Sequence, residues 1–133
     1  MDLSRRVVSV VFALMMALVL LPAPSPAAPM VTYSKQAFVE AQNAGKPIVV
    51  FVHATWCVTC RKQEPTLKQL TAEPAFSQVV VFVVDYDKDK PTLRELNVPD
   101  RSTLVAFNGK TERKRSSFVI DPTAIRALFE SAL

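Results

Sequence analysis

Two short runs with no polar residue in them constrain this chain more than anything else in it. Ile48-Val49-Val50-Phe51-Val52 and Val79-Val80-Val81-Phe82-Val83-Val84 are apolar at every position. A strand with one face in water alternates between apolar and polar residues. A strand that is apolar throughout must be covered on both faces, as parallel strands are when helices lie on either side of the sheet. The segments around them supply those helices. Ser34 caps a first helix with Phe38 and Ala41 on its inner face and Gly45 closing it. A second helix is predicted from about Val58 to Leu70, with Leu67 and Leu70 on one face and Pro65 interrupting its backbone bonding. Lys90 to Leu96, with Pro91 in its first turn, reads as a short third helix. Leu104-Val105-Ala106-Phe107 is a further strand, and Asn108-Gly109 predicts a two-residue hairpin into a polar strand within Lys110–Val119. Asp121-Pro122 starts a last helix whose inward face is Ile125, Leu128 and Phe129. The fold class is α/β, a central mixed sheet of about four to five strands flanked by helices on both faces.

The N-terminus is set apart from this pattern. Arg5-Arg6 precedes an apolar run from Val7 to Leu21, and Pro22 to Pro29 is rich in Pro and Ala. A basic start, an apolar centre and a small-residue exit describe a secretory signal peptide, cleaved after Ala27 where Ser25 and Ala27 give a small-x-small site. The run is shorter than the ~20 residues of a membrane span, so an uncleaved anchor is the alternative reading. The expected organisation is a signal peptide over 1–27 and one domain over 28–133, exported to the bacterial periplasm or held at its membrane face. That domain keeps 14 basic and 11 acidic residues, a charge of +3, which is too mild to argue for nucleic acid. The basic run Lys110, Arg113, Lys114 and Arg115 reads as a solvated hairpin face.

The chain has two cysteines, Cys57 and Cys60. An exported protein can use a cysteine pair as a staple, but a Cys-x-x-Cys bridge closes a very short loop, and loop-closure stabilisation grows with loop length. The pair is therefore a candidate for reactivity. It lies where a buried strand passes into a helix. There the unpaired N–H groups and the helix dipole favour a thiolate on Cys57, and Cys60 follows within reach to resolve a mixed disulfide. Two Cys and the single His53 fall short of the four ligands of a structural zinc site, so no metal and no cofactor are expected.

Ala54-Thr55-Trp56-Cys57-Val58-Thr59-Cys60 resembles the active-site segment of the thioredoxin family. Pro65 matches that family's helix-kinking proline, and Thr103 to Gly109 is similar to its late strand and hairpin. The likeness runs from about Thr32 to Leu133. It implies a thioredoxin-like fold, thiol–disulfide oxidoreductase activity through Cys57 and Cys60, and as partners protein disulfides and a thiol redox protein, with the chain acting as a monomer. The Val58-Thr59 dipeptide is similar to that of the thioredoxin-like domain of the DsbD reductant conductor, which implies a reducing role outside the cytoplasm.

Three positions depart from the family pattern. Ser102 stands where a cis-proline usually precedes the late strand, next to Thr103. Phe51 replaces the buried acid, and Val81 the lysine that partners it. Losing both charges together is physically consistent, since one buried charge without its partner costs several kcal/mol. Glu64 and His53 are then the candidates to take the Cys60 proton, with Glu64 preferred. Trp56 is expected to cover the site, and Thr59 to donate to the Cys57 thiolate or simply to start the helix. The other functional readings are a Cu(I)-binding or metal-delivery module, since soft thiolates suit Cu(I), and a thioredoxin-shaped interaction domain of low turnover.

Overall fold

The computed structural model describes residues 27–133, so the proposed signal segment, apart from Ala27, lies outside the described residues. The elements run β1 (Met30–Thr32), α1 (Lys35–Asn43), β2 (Pro47–His53), α2 (Val58–Ala72), a 3₁₀ turn (Pro74–Phe76), β3 (Val80–Asp85), α3 (Lys90–Glu95), β4 (Thr103–Asn108), β5 (Thr111–Ser117) and α4 (Pro122–Ala132). They form one five-stranded sheet in the order β1-β3-β2-β4-β5. β1, β3 and β2 are parallel, whereas β4 and β5 pair antiparallel. The apolar runs of β2 and β3 sit inside the sheet, and their two faces feed two cores. Val49, Phe51, Val79 and Val81 pack with Leu67 and Leu70 of α2 and with Ile125, Leu128 and Phe129 of α4. Ile48, Val50, Val52, Phe82 and Val84 pack with Phe38 and Ala41 of α1 and Leu93 of α3. Phe38 meets Phe82 and Phe107 edge-on at 5.7 and 5.5 Å, a favourable aromatic geometry.

The helix starts follow the sequence reading. The side chains of Ser34, Asp89 and Asp121 accept the N–H groups of Ala37, Thr92 and Ala124. Three details differ from it. β1 was not anticipated: it is three residues long with no alternation, and it exists because Val31 pairs with Phe82. The hairpin turn is displaced by one residue. Asn108 pairs with Thr111, so Gly109-Lys110 forms the loop, with Gly109 at φ +54, which glycine adopts without strain. Finally, the register sets Val83 opposite Phe51 and Val81 opposite Val49. The strand neighbour of Phe51 is thus Val83, not Val81, and all of these residues are apolar.

Among the described residues no helix is long and apolar enough to cross a membrane.

Candidate active site

After β2 the chain turns through Ala54, Thr55 and Trp56, and the Cys57 N–H closes the turn on the Ala54 carbonyl at 3.1 Å. Cys57 is the N-cap of α2. Its backbone is extended (φ −82, ψ 109), and its Sγ accepts the Cys60 N–H at 3.1 Å. Serine or aspartate oxygen normally fills this role. With sulfur there, the N–H bond and the positive end of the helix both favour a negative charge on Cys57. Cys60 lies one turn on, with 5.3 Å between the two Cα atoms, and the pair forms a disulfide. Cys60 is fully buried and Cys57 is 2% exposed, whereas the flanking Trp56 and Val58 are 52% and 56% exposed. In the oxidised form the first sulfur is thus largely covered, with two exposed side chains beside it.

Ser102 arrives from 45 residues away in the chain. Its Oγ lies 2.9 Å from Cys57 Sγ and 3.1 Å from Cys60 Sγ. No cis peptide is present among the described residues; Ser102 has φ +57, the left-handed region, and is fully buried. Its N–H donates to the Val52 carbonyl at 2.9 Å, and its own carbonyl accepts from the Phe118 N–H at 3.0 Å and the Gln63 Nε2 at 3.1 Å. Thr103, the next residue, donates its hydroxyl to the Asp100 carbonyl and meets Ser117 Oγ, both at 2.8 Å, which pins the start of β4.

Glu64 bonds His53, with Oε1 to Nε2 at 3.0 Å, so the two proposed proton acceptors engage each other. The hydrogen-bond partners of the disulfide sulfurs are instead Ser102 and the Cys60 N–H, and the Val52 carbonyl lies 3.8 Å from Cys60 Sγ, placed to accept from the Cys60 thiol of the reduced protein. Thr59 is half-buried on the first turn of α2, and Cys57 draws its donors from Cys60 and Ser102. Trp56 donates its indole N–H to Asp87 at 2.8 Å and lies under the Arg101 guanidinium at 4.8 Å. Asp87 is positioned by Asp85, whose carboxylate accepts the N–H groups of Lys88 and Asp87; these bonds, the Lys88 one foremost, hold Asp85 below the usual carboxylate range.

Sequence reasoning missed Gln63, Arg101 and Phe118. Gln63 lies three residues beyond Cys60, on the same helical face, where a polar residue among apolar ones was the available signal. It is fully buried and its Nε2 also donates to the Val119 carbonyl at 2.8 Å. Among the described residues no group of three or more His, Cys, Asp or Glu side chains is arranged to hold a metal ion.

A Cys-x-x-Cys pair capping a helix at the end of a central strand defines a protein of thioredoxin-like fold built around a dithiol–disulfide couple. The comparisons agree: the thioredoxin family model matches residues 29–129, and the chain belongs to the thioredoxin family. It is similar to the solved structure of Trxlp from Edwardsiella tarda EIB202, with a TM-score of 0.73, 37% identity, and coverage of 75% of this chain and 98% of that one. Thioredoxin H2-2 of Oryza sativa subsp. japonica is 32% identical over 63% of this chain and 61% of its own length. The thiol:disulfide interchange protein DsbE of Pseudomonas fluorescens biotype C is 36% identical over 50% of this chain and 35% of its own length. The chain therefore spans less than two thirds of these two relatives.

Proposed function

We propose that this protein is an exported thiol–disulfide oxidoreductase that reduces protein disulfides through Cys57 and Cys60. The observation that carries the reading is the Cys57 sulfur serving as the helix N-cap, with Cys60 bonded to it from behind. In the reduced protein the Cys57 thiolate attacks one sulfur of a client disulfide. The other client sulfur leaves with the bonding pair and takes a proton from solvent. Cys60 gives its thiol proton to solvent and attacks Cys57 Sγ, and the bound client sulfur departs as a thiolate that solvent protonates. The client disulfide gains two electrons and the protein dithiol loses them. The exposed side chains of Trp56 and Val58 give an extended client an apolar surface beside the sulfur.

Export is supported by the Arg5-Arg6, Val7–Leu21 and Ser25/Ala27 pattern, and a reducing role by the Val58-Thr59 dipeptide. The test is insulin reduction by the reduced protein, alongside Cys57→Ser and Cys60→Ser. The wild type is expected to be active and Cys57→Ser inactive. Cys60→Ser is expected to trap clients as mixed disulfides, recovered from the periplasmic fraction with residue 28 as the new N-terminus. An active Cys57→Ser variant overturns the assignment of the nucleophile, and a protein retained in the cytoplasm at full length overturns export.

A further inference from the structure

A left-handed backbone at a fully buried non-glycine residue costs about 1 kcal/mol or more. If Ser102 served only to turn the chain, glycine would be the relaxed choice at φ +57. Serine is retained in a strained conformation, and what it adds is an oxygen 2.9 Å from one sulfur and 3.1 Å from the other. A disulfide carries no S–H, so in the oxidised form the hydrogen of any such bond belongs to Ser102. The strand position that the family gives to a buried acid is Phe51, packed in the core with Cys57 and Cys60. Among the described residues none of the hydrogen-bond partners of the two sulfurs is ionisable, and His53 and Glu64 are bonded to each other.

We propose that the Ser102 hydroxyl is a shared catalytic donor that follows the negative charge from one cysteine sulfur to the other. In the reduced protein it donates to the Cys57 thiolate, beside the Cys60 N–H, and accepts from the Cys60 thiol. Once Cys57 is bonded to a client it carries no charge, and rotation about the Cα–Cβ and Cβ–Oγ bonds turns the same O–H toward Cys60. There it stabilises the thiolate that resolves the complex. The Cys60 proton still leaves to solvent, so the step balances as written above; Ser102 keeps its own proton throughout. This inference rests on the dithiol cycle but not on the identity or location of the client.

The test compares Ser102→Ala, which removes the hydroxyl alone, with Ser102→Gly, which also relaxes the backbone. Thiolate absorbance of the reduced protein is titrated to read Cys57. An aryl disulfide that releases a coloured thiolate at each of the two exchange steps reads Cys60 through its second release. Both variants are expected to shift the Cys57 titration up by about one pH unit and to slow the second release about tenfold, the scale of one hydrogen bond to a charged group. A glycine variant with wild-type behaviour shows that only the backbone matters and overturns the proposal. So does a folded Ser102→Ala protein with an unchanged titration and second release. Neither readout uses a protein client, so a wild type that fails to reduce insulin sinks the reductase reading while leaving this result standing.

Discussion

Gln63 Nε2 donates to the Ser102 carbonyl at 3.1 Å and to the Val119 carbonyl at 2.8 Å, so one buried amide on α2 ties the loop before β4 to the loop between β5 and α4. Its Oε1 has no hydrogen-bond partner among the described residues. A buried unpaired acceptor costs about 1–3 kcal/mol, so the two donated bonds come with a penalty on the same side chain.

The first prediction follows from that balance. Gln63→Met keeps the volume and removes both donors. The Ser102 carbonyl retains the Phe118 N–H, but the Val119 carbonyl loses the Gln63 donor, while the orphan Oε1 disappears. The net loss is expected to be about 1–2 kcal/mol, read from urea unfolding of the oxidised protein. A variant as stable as the wild type would show that this amide does not hold the loops.

In the proposed reaction Trp56 is the residue that separates client contact from sulfur chemistry. Its ring is half-exposed, held by Asp87 and Arg101, and makes no hydrogen bond to either sulfur. Trp56→Ala is expected to lower the rate of insulin reduction about tenfold or more, as loss of an aromatic anchor does. The Cys57 thiolate titration is expected to stay in place. A shifted titration with unchanged client turnover would reverse these roles.

The parts of the fold that were legible in the sequence are those fixed by local chemistry. Ile48–Val52 and Val79–Val84 announce a covered sheet because no one-faced strand is apolar throughout, and Asp121 and Ser34 announce helix starts because their oxygens take up free N–H groups. Cys57 and Cys60 were legible for the same reason, their spacing placing both sulfurs on the first turn of a helix. What stayed hidden depends on partners distant in sequence. β1 is a strand only because Val31 meets Phe82, 51 residues on. Ser102 could be flagged as a departure, but its left-handed backbone and its position between the sulfurs arise from bonds to Val52, Phe118 and Gln63 that no local pattern encodes. Glu64 and His53 were placed near Cys60 by helical spacing and strand position, which say nothing of their preference for each other.

Glu112 and Arg115 provide a pH-dependent contribution on β5. The guanidinium makes two parallel bonds to the carboxylate, at 2.8 and 2.9 Å, and donates to the Leu96 and Asn97 carbonyls beyond α3. The Arg115 bond holds the Glu112 carboxyl below its ordinary value. A carboxyl lowered by folding adds stability that is complete above the unfolded value near 4.5 and is lost as pH falls through the lower, folded one. The Glu112 side chain is 40% exposed, so solvent screening keeps the contribution below about 1 kcal/mol. Glu112→Gln is therefore expected to be slightly less stable than the wild type at neutral pH. The difference should close on acidification below the ordinary carboxylate range and shrink in high salt. A gap that persists in acid would place its origin outside the charge.

The last prediction concerns restoring the family residue. Ser102→Pro looks like a return to the thioredoxin pattern, yet this backbone is built for something else. Proline fixes φ near −65°, and Ser102 stands at +57. Proline also lacks the N–H that Ser102 gives to the Val52 carbonyl, leaving that buried acceptor unpaired at the end of β2 beside Cys60. To accept proline, the loop from Asp100 to Thr103 must rearrange, and with it the bonds from Gln63, Phe118 and Thr103. The expected cost is more than about 2 kcal/mol, since both the conformation and a donor are lost. The substitution also removes Oγ, so the Cys57 titration is expected to move up as in Ser102→Ala. Thermal unfolding of the oxidised variant is the measurement. A Ser102→Pro protein as stable as the wild type would mean that this loop accepts the family geometry freely, and that the left-handed conformation of Ser102 is not enforced by its surroundings.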